Sequence, residues 1–125
     1  MKTRLIISES GERVLNSIAS RFDIRPNIVC RYALLLSLRN PEEPITINDN
    51  TGREFNRITL TGEDDILFRE LIKSHHKNFI SDDDYMTKYL KSHIERGLIT
   101  LSNNISQAKS FDNYLMQLIM NGELA

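Results

Sequence analysis

The sequence predicts a mainly α-helical, compact domain that opens on a short β-strand, and three features predict it. At 125 residues, 40% hydrophobic and 26% charged, the chain has the size and balance of one globular domain able to bury a core. From residue 11 onward, apolar residues recur at three- and four-residue spacing in successive segments bounded by helix start and stop signals. Ahead of them, "TRLII" (Thr3 to Ile7) alternates with period two, placing Leu5 and Ile7 on one face and Lys2, Arg4 and Ile6 on the other. No stretch reaches the roughly 18 uninterrupted apolar residues of a membrane span, and the first apolar run is too short for a secretory signal. One cytoplasmic domain over 1–125, without membrane association, is the expectation. The single cysteine, Cys30, excludes an intramolecular disulfide framework and agrees with a reducing compartment.

Each helix has its own justification. Ser8 or Ser10 caps the first, in which Val14, Leu15, Ile18, Ala19 and Phe22 repeat at helical spacing before Asp23. Pro26 opens the second, which runs to about Leu38, because in a first turn the missing N–H costs nothing and the fixed φ favours helix. At ~100° per residue, Asn27 and Arg31 form a narrow polar stripe, while Ile28, Val29, Tyr32, Ala33, Leu35 and Leu36 cover a wide apolar arc. An arc this broad predicts that Ile28, Tyr32, Leu35 and Leu36 meet another copy of the chain. "NPEEPITINDNTG" then breaks the pattern, and "REFNRITL" alternates weakly, as a short strand or an extended arm. Thr61, with Asp64 three residues later, predicts a capped helix over 62–76. Ser81 opens "DDDYMTKYLKSHIERG", with acids at its positive end and Gly97 as its stop, and "FDNYLMQLIMNG" closes the chain as a last helix.

A strand without a local partner, followed by two helices, is the element order of ribbon-helix-helix proteins. There the strand pairs with its twin from a second subunit and the ribbon enters the major groove. On that arrangement Lys2 and Arg4 face DNA, and the start of the second helix at Arg25, Pro26 and Asn27 approaches a phosphate. The competing arrangement packs the N-terminal arm on its own subunit. Charge is compatible with a polyanion at one end: residues 1–40 carry seven Lys/Arg against three acids, the remainder nine against fourteen.

Three segments in order, "RPNIVCR" (Arg25 to Arg31), "LSLRNPEEP" (Leu36 to Pro44) and "NTGREFNRITLTGE" (Asn50 to Glu63), resemble the DndE family of DNA sulfur modification proteins. The resemblance covers about 3–75, leaving 81–125 as a C-terminal helical extension of the same domain. It implies a compact, mainly helical homotetramer that binds DNA, with a preference for nicked duplex. It also implies work beside a cysteine desulfurase, an iron–sulfur protein and an ATPase that replace a non-bridging phosphate oxygen by sulfur. No catalytic role for any residue is carried over with it.

The chemistry-bearing residues are few. Cys30 is a sulfur carrier only if its thiol is exposed and its pKa lowered, and its position inside an apolar helix favours a buried thiol instead. Asn27 and Arg31 read as a satisfied polar stripe, with arginine paired to a carboxylate across an oligomer interface. Arg53 and Arg57 share a face if their segment is extended and could then hold phosphates, or the segment docks the loop. His75, His76 and His93 lack a paired i, i+4 ligand set, so solvated helix-end residues are expected and no metal or other cofactor. "NDNTG" lacks the acid spacing of a calcium loop. With no phosphate-binding glycine loop, assigned nucleophile or cysteine cluster, a non-catalytic protein is expected. The DNA-binding candidates are therefore Lys2, Arg4, Arg25, Asn27, Arg53 and Arg57. A ribbon-helix-helix repressor reading DNA through Arg4, and a sulfur carrier using Cys30, are the alternatives.

Overall fold

The alternation at the N-terminus becomes strand β1 (Arg4–Ile6), with Leu5 and Ile7 in the core and Lys2 and Arg4 exposed. The structure, a computed structural model, describes residues 2–106. Strand β1 finds its partner in its own chain: it pairs antiparallel with β2 (Glu54–Asn56), Leu5 facing Phe55 and Arg4 facing Asn56. The strand–helix–helix order is present, whereas pairing with a twin strand gives way to this in-chain ladder. Ile7 N–H donates to the Arg53 carbonyl (3.0 Å) and Gly52 N–H to the Ile7 carbonyl (2.9 Å), extending the ladder past β2. The returning chain runs so close that a Cβ on Gly52 would lie 2.3 Å from the Ser8 carbonyl oxygen, which is why glycine stands there.

Helix α1 (Glu9–Phe22) is capped by Ser8, whose hydroxyl accepts from Gly11 N–H at 2.9 Å, and it ends on Asp23 in the left-handed region. Helix α2 (Pro26–Arg39) buries Val29, Cys30, Ala33, Leu34 and Ser37. Its broad apolar arc is mostly covered by its own chain: Tyr32 and Leu36 pack partly buried on the core, Ile28 is half-buried, and Leu35 stays exposed.

After β2 the chain turns into a short helix, α3 (Arg57–Leu60), and a 3₁₀ turn (Gly62–Asp64) before α4 (Asp65–His76). The helix expected from residue 62 thus starts later, because the Thr61 hydroxyl contacts Asp65 Oδ1 (2.6 Å) instead of capping the turn. Ser81 caps α5 (Asp82–Asp84) as expected, accepting from Asp84 N–H at 3.1 Å. A π-helical turn (Tyr85–Tyr89) leads directly into α6 (Leu90–Ile105), against which α2 packs.

Gly97 does not stop this helix. It lies mid-α6, fully inside, where a Cβ would come within 1.7 Å of the Ala33 carbonyl oxygen. Lacking a side chain, it lets the α2 and α6 backbones touch, and that contact organises the core of Leu15, Leu34, Leu90, Ile94, Leu98 and Leu101. The expected last helix, "FDNYLMQLIMNG", lies outside the described residues. Among the described residues, no helix is long and apolar enough to cross a membrane.

Candidate nucleic-acid interface

Arg57 ties down the start of β1, where Lys2 and Arg4 stand. Because β2 ends at Asn56, whose side chain accepts from Ile58 N–H (2.9 Å), Arg57 opens a helix and leaves the face of Arg53. Arg57 is only 8% exposed, and its guanidinium is held by Asp65 (2.7 and 3.1 Å), Asp82 (2.8 and 3.0 Å) and the Lys2 carbonyl (2.9 Å). This corrects its place among the phosphate contacts: every donor edge faces protein, and Arg57 clamps the start of β1 to α4 and α5. The hydrogen bonds to Asp82 and Asp65 push its pKa further up. Asp82 is held below the usual carboxylate range by its bond from Arg57. Burial would raise Asp65, but bonds from Arg57 and Thr61 outweigh it and the net shift is downward. Tyr85 completes the group, its hydroxyl donating to Asp65 Oδ1 (3.1 Å). Sequence reasoning missed this network because the acids at 82–84 read simply as favourable charges at a helix N-terminus.

The polar stripe of α2 is satisfied within the chain. Asn27 Nδ2 donates to the Thr59 carbonyl (3.1 Å), and Arg31 donates from Nε to the Leu60 carbonyl (2.8 Å) and from Nη2 to that of Thr59 (3.3 Å). Arg31 therefore meets backbone carbonyls at the C-terminal end of α3. Cys30 is fully buried, and burial pushes its thiol up to about 12 despite the opposing charge of Arg53. Nothing about it resembles an activated nucleophile.

Four candidates remain at the surface. Lys2 and Arg4 are exposed beside an open groove of about 440 Å³ that also borders Ile6, Asn50, Thr87 and Lys91. Arg4 reaches Glu54 across the ladder at 3.4 Å, an exposed pair that holds it weakly. Arg53 is exposed with its guanidinium over the Phe55 ring, 5.0 Å from the centroid. Arg25 is exposed at the N-cap of α2, where its carbonyl accepts from the Ile28 and Val29 N–H groups. Lys91 lies at the groove floor, largely buried, its Nζ donating to the Asp49 carbonyl (2.5 Å) and Asn50 Oδ1 (2.6 Å) and so pinning the loop before β2.

His75 and His76 do end α4, but they are half-buried rather than solvated. His93 of α6 is fully buried, and its Nε2 lies 2.9 Å from His76 Nε2, while the His75 ring stands edge-on to both. Burial, then the neighbouring His75 and His76, push His93 down to about 3. The expectation failed because the end of α4 meets His93 of α6, a contact between distant segments that spacing along one helix does not disclose.

A family model described as the DNA sulphur modification protein DndE matches residues 4–109. That match runs past the 3–75 on which the resemblance rested and takes in α6. The crystal structure of DndE from Escherichia coli B7A, involved in DNA phosphorothioation modification, is similar over 81% of this chain and 98% of that one, at 22% identity and a TM-score of 0.66. A DndE G21/24K mutant, involved in DNA phosphorothioation, gives 23% identity, 82% and 99% coverage and a TM-score of 0.65. No curated protein sequence matches.

Proposed function

The chain belongs to the DndE family of DNA sulphur modification proteins, and from that premise we propose that it is a DNA-binding accessory subunit of the phosphorothioation machinery. It acts without catalysing the sulfur chemistry itself. It holds duplex DNA, nicked duplex above all, by phosphate contacts that fix the backbone without reading sequence. The observation that carries this reading is the clamp at Arg57. By fixing the Lys2 carbonyl, it keeps Lys2 and Arg4 exposed along an open groove, where a phosphate would compete only with the exposed pair of Arg4 and Glu54. Arg53, exposed on the loop before β2, and Arg25, exposed at the start of α2, are further candidate phosphate contacts, and Asn27, tied to Thr59, positions the start of α2.

The two alternatives have less support. β1 is engaged with β2 along one edge, so a ribbon between subunits would have to add a twin strand on its other edge. A persulfide on Cys30 would need an exposed thiolate, against a side chain with no accessible surface. In the cytoplasm the protein works as a homotetramer beside a cysteine desulfurase, an iron–sulfur protein and an ATPase. Self-association has its support in exposed Leu35, Ile58, Ile66 and Leu67 on the adjoining elements α2, α3 and α4.

Fluorescence anisotropy with intact and nicked duplexes of several unrelated sequences tests the proposal. Tighter binding to every nicked duplex, with little spread among sequences, is expected. A single sequence bound about a thousandfold more tightly than the rest would replace it with the repressor reading.

A further inference from the structure

The three histidines converge from two helices. His75 and His76 end α4, His93 comes from α6, and one ring nitrogen of each lies within 4.8 Å of the other two. Their hydrogen bonds fix which nitrogens carry lone pairs. His75 Nε2 faces the Asn40 carbonyl at 2.6 Å, which can only accept, so Nε2 bears the proton and Nδ1 the lone pair. That Nδ1 is buried and has no hydrogen-bond partner among the described residues. A buried, unpaired nitrogen lone pair costs free energy, and here it belongs to a cluster of ligating side chains.

The other two rings complete the set. His93 Nδ1 lies 2.8 Å from the Ser37 hydroxyl, and Arg96 Nε, also 2.8 Å from that oxygen, holds the serine in place. His76 Nδ1 lies 3.6 Å from Glu43 Oε1. His75 and His93 thus have hydrogen-bond partners for their distal nitrogens, a carbonyl and a hydroxyl, and the Glu43 carboxylate stands near that of His76. This is the outer arrangement that orients metal-ligating imidazoles.

We propose that His75 Nδ1, His76 Nε2 and His93 Nε2 bind one zinc-class divalent ion, with a fourth, exchangeable position open to solvent. Nitrogens bound to zinc at about 2.0–2.1 Å in tetrahedral geometry stand about 3.3 Å apart. The two Nε2 atoms, at 2.9 Å, need to separate by a few tenths of an ångström, and the widest ligand pair, within 4.8 Å, needs to close by up to about 1.5 Å. Without metal a single N–H bridges those two atoms. On binding, that proton moves to the Nδ1 of its own ring, facing Ser37 or Glu43, so no net proton is released. The open position gives onto a cleft of about 360 Å³ bordered by Pro41, Glu43, Asn78 and Tyr89. Tyr89, from the π-helical turn, stands edge-on to His76 with ring centroids 4.6 Å apart. Neutral imidazole donors of this kind suit zinc, cobalt, nickel and copper rather than magnesium or calcium.

The test uses the untagged full chain, stripped with a chelator and dialysed, titrated with Zn²⁺ by calorimetry and with Co²⁺ as a visible probe. One equivalent bound, with intense Co²⁺ absorption displaced by Zn²⁺, is expected. His75→Ala weakens binding by at least about tenfold, and Ser37→Ala by about 10- to 100-fold through the orientation of His93. Unchanged affinity in a His75→Ala protein of native circular dichroism, or no Co²⁺ absorption at saturating metal, overturns the site. Should the variants unfold, imidazole ¹⁵N shifts of the wild-type chain decide: Zn²⁺ moves His75 Nδ1, His76 Nε2 and His93 Nε2, and unmoved resonances refute it.

Discussion

Arg57 and Cys30 carry the sharpest consequences for single residues. Replacing Arg57 by Ala leaves two carboxylates and the Lys2 carbonyl without their shared donor, so chemical denaturation should show a loss of about 3 kcal/mol. The same network gives acid sensitivity a definite sign. Asp65 and Asp82 have folded pKa values below their unfolded ones, so their contribution is complete above the unfolded value near pH 4 and disappears as pH falls through the folded values. Denaturation midpoints measured from pH 6 down to pH 2 should therefore drop steeply below about pH 4 in the wild type and more gently in Arg57→Ala. Cys30, buried and with its thiol pushed up to about 12, should resist alkylation in the native chain near neutral pH. It should react at once in denaturant, and rapid native labelling would restore the sulfur-carrier alternative.

Among the elements, the contact between α2 and α6 matters most, and Gly97 is its narrowest point. Gly97→Ala would drive a methyl group into the Ala33 carbonyl, and the backbones can separate only by opening the core. Thermal denaturation should show a loss of about 2 kcal/mol or more. What the sequence discloses at this scale follows local physics. Pro26, the Ser8 and Ser81 caps and the apolar periodicity of α1 and α2 act through neighbours a turn away, so they could be read. Gly97 looks the same as a helix stop or as a close-packing point, because the difference lies in Ala33, far away along the chain. For the same reason the partner of β1, the carboxylates around Arg57 and the convergence of His75, His76 and His93 were not legible: each is a contact between distant segments.

For the whole molecule, seven of the sixteen Lys/Arg residues fall in the first forty positions, against three of the seventeen acids. Arg31 meets backbone carbonyls and Arg57 two carboxylates, whereas Lys2, Arg4, Arg25 and Arg53 are exposed and are the cations of the proposed interface. The exposed apolar side chains of α2 to α4 belong to the same scale. Sedimentation at micromolar concentration should give a tetramer, and Leu35→Asp with Leu67→Asp should yield a folded smaller species. The most direct test of the account is the salt dependence of binding to nicked duplex, compared between the wild type and Lys2→Gln with Arg4→Gln. Each lost phosphate contact lowers the slope of log K against log salt by about 0.9, so the double variant should lose about 1.8 while keeping its fold and its indifference to sequence. An unchanged slope in the folded variant would contradict the groove at β1 as the DNA-binding surface.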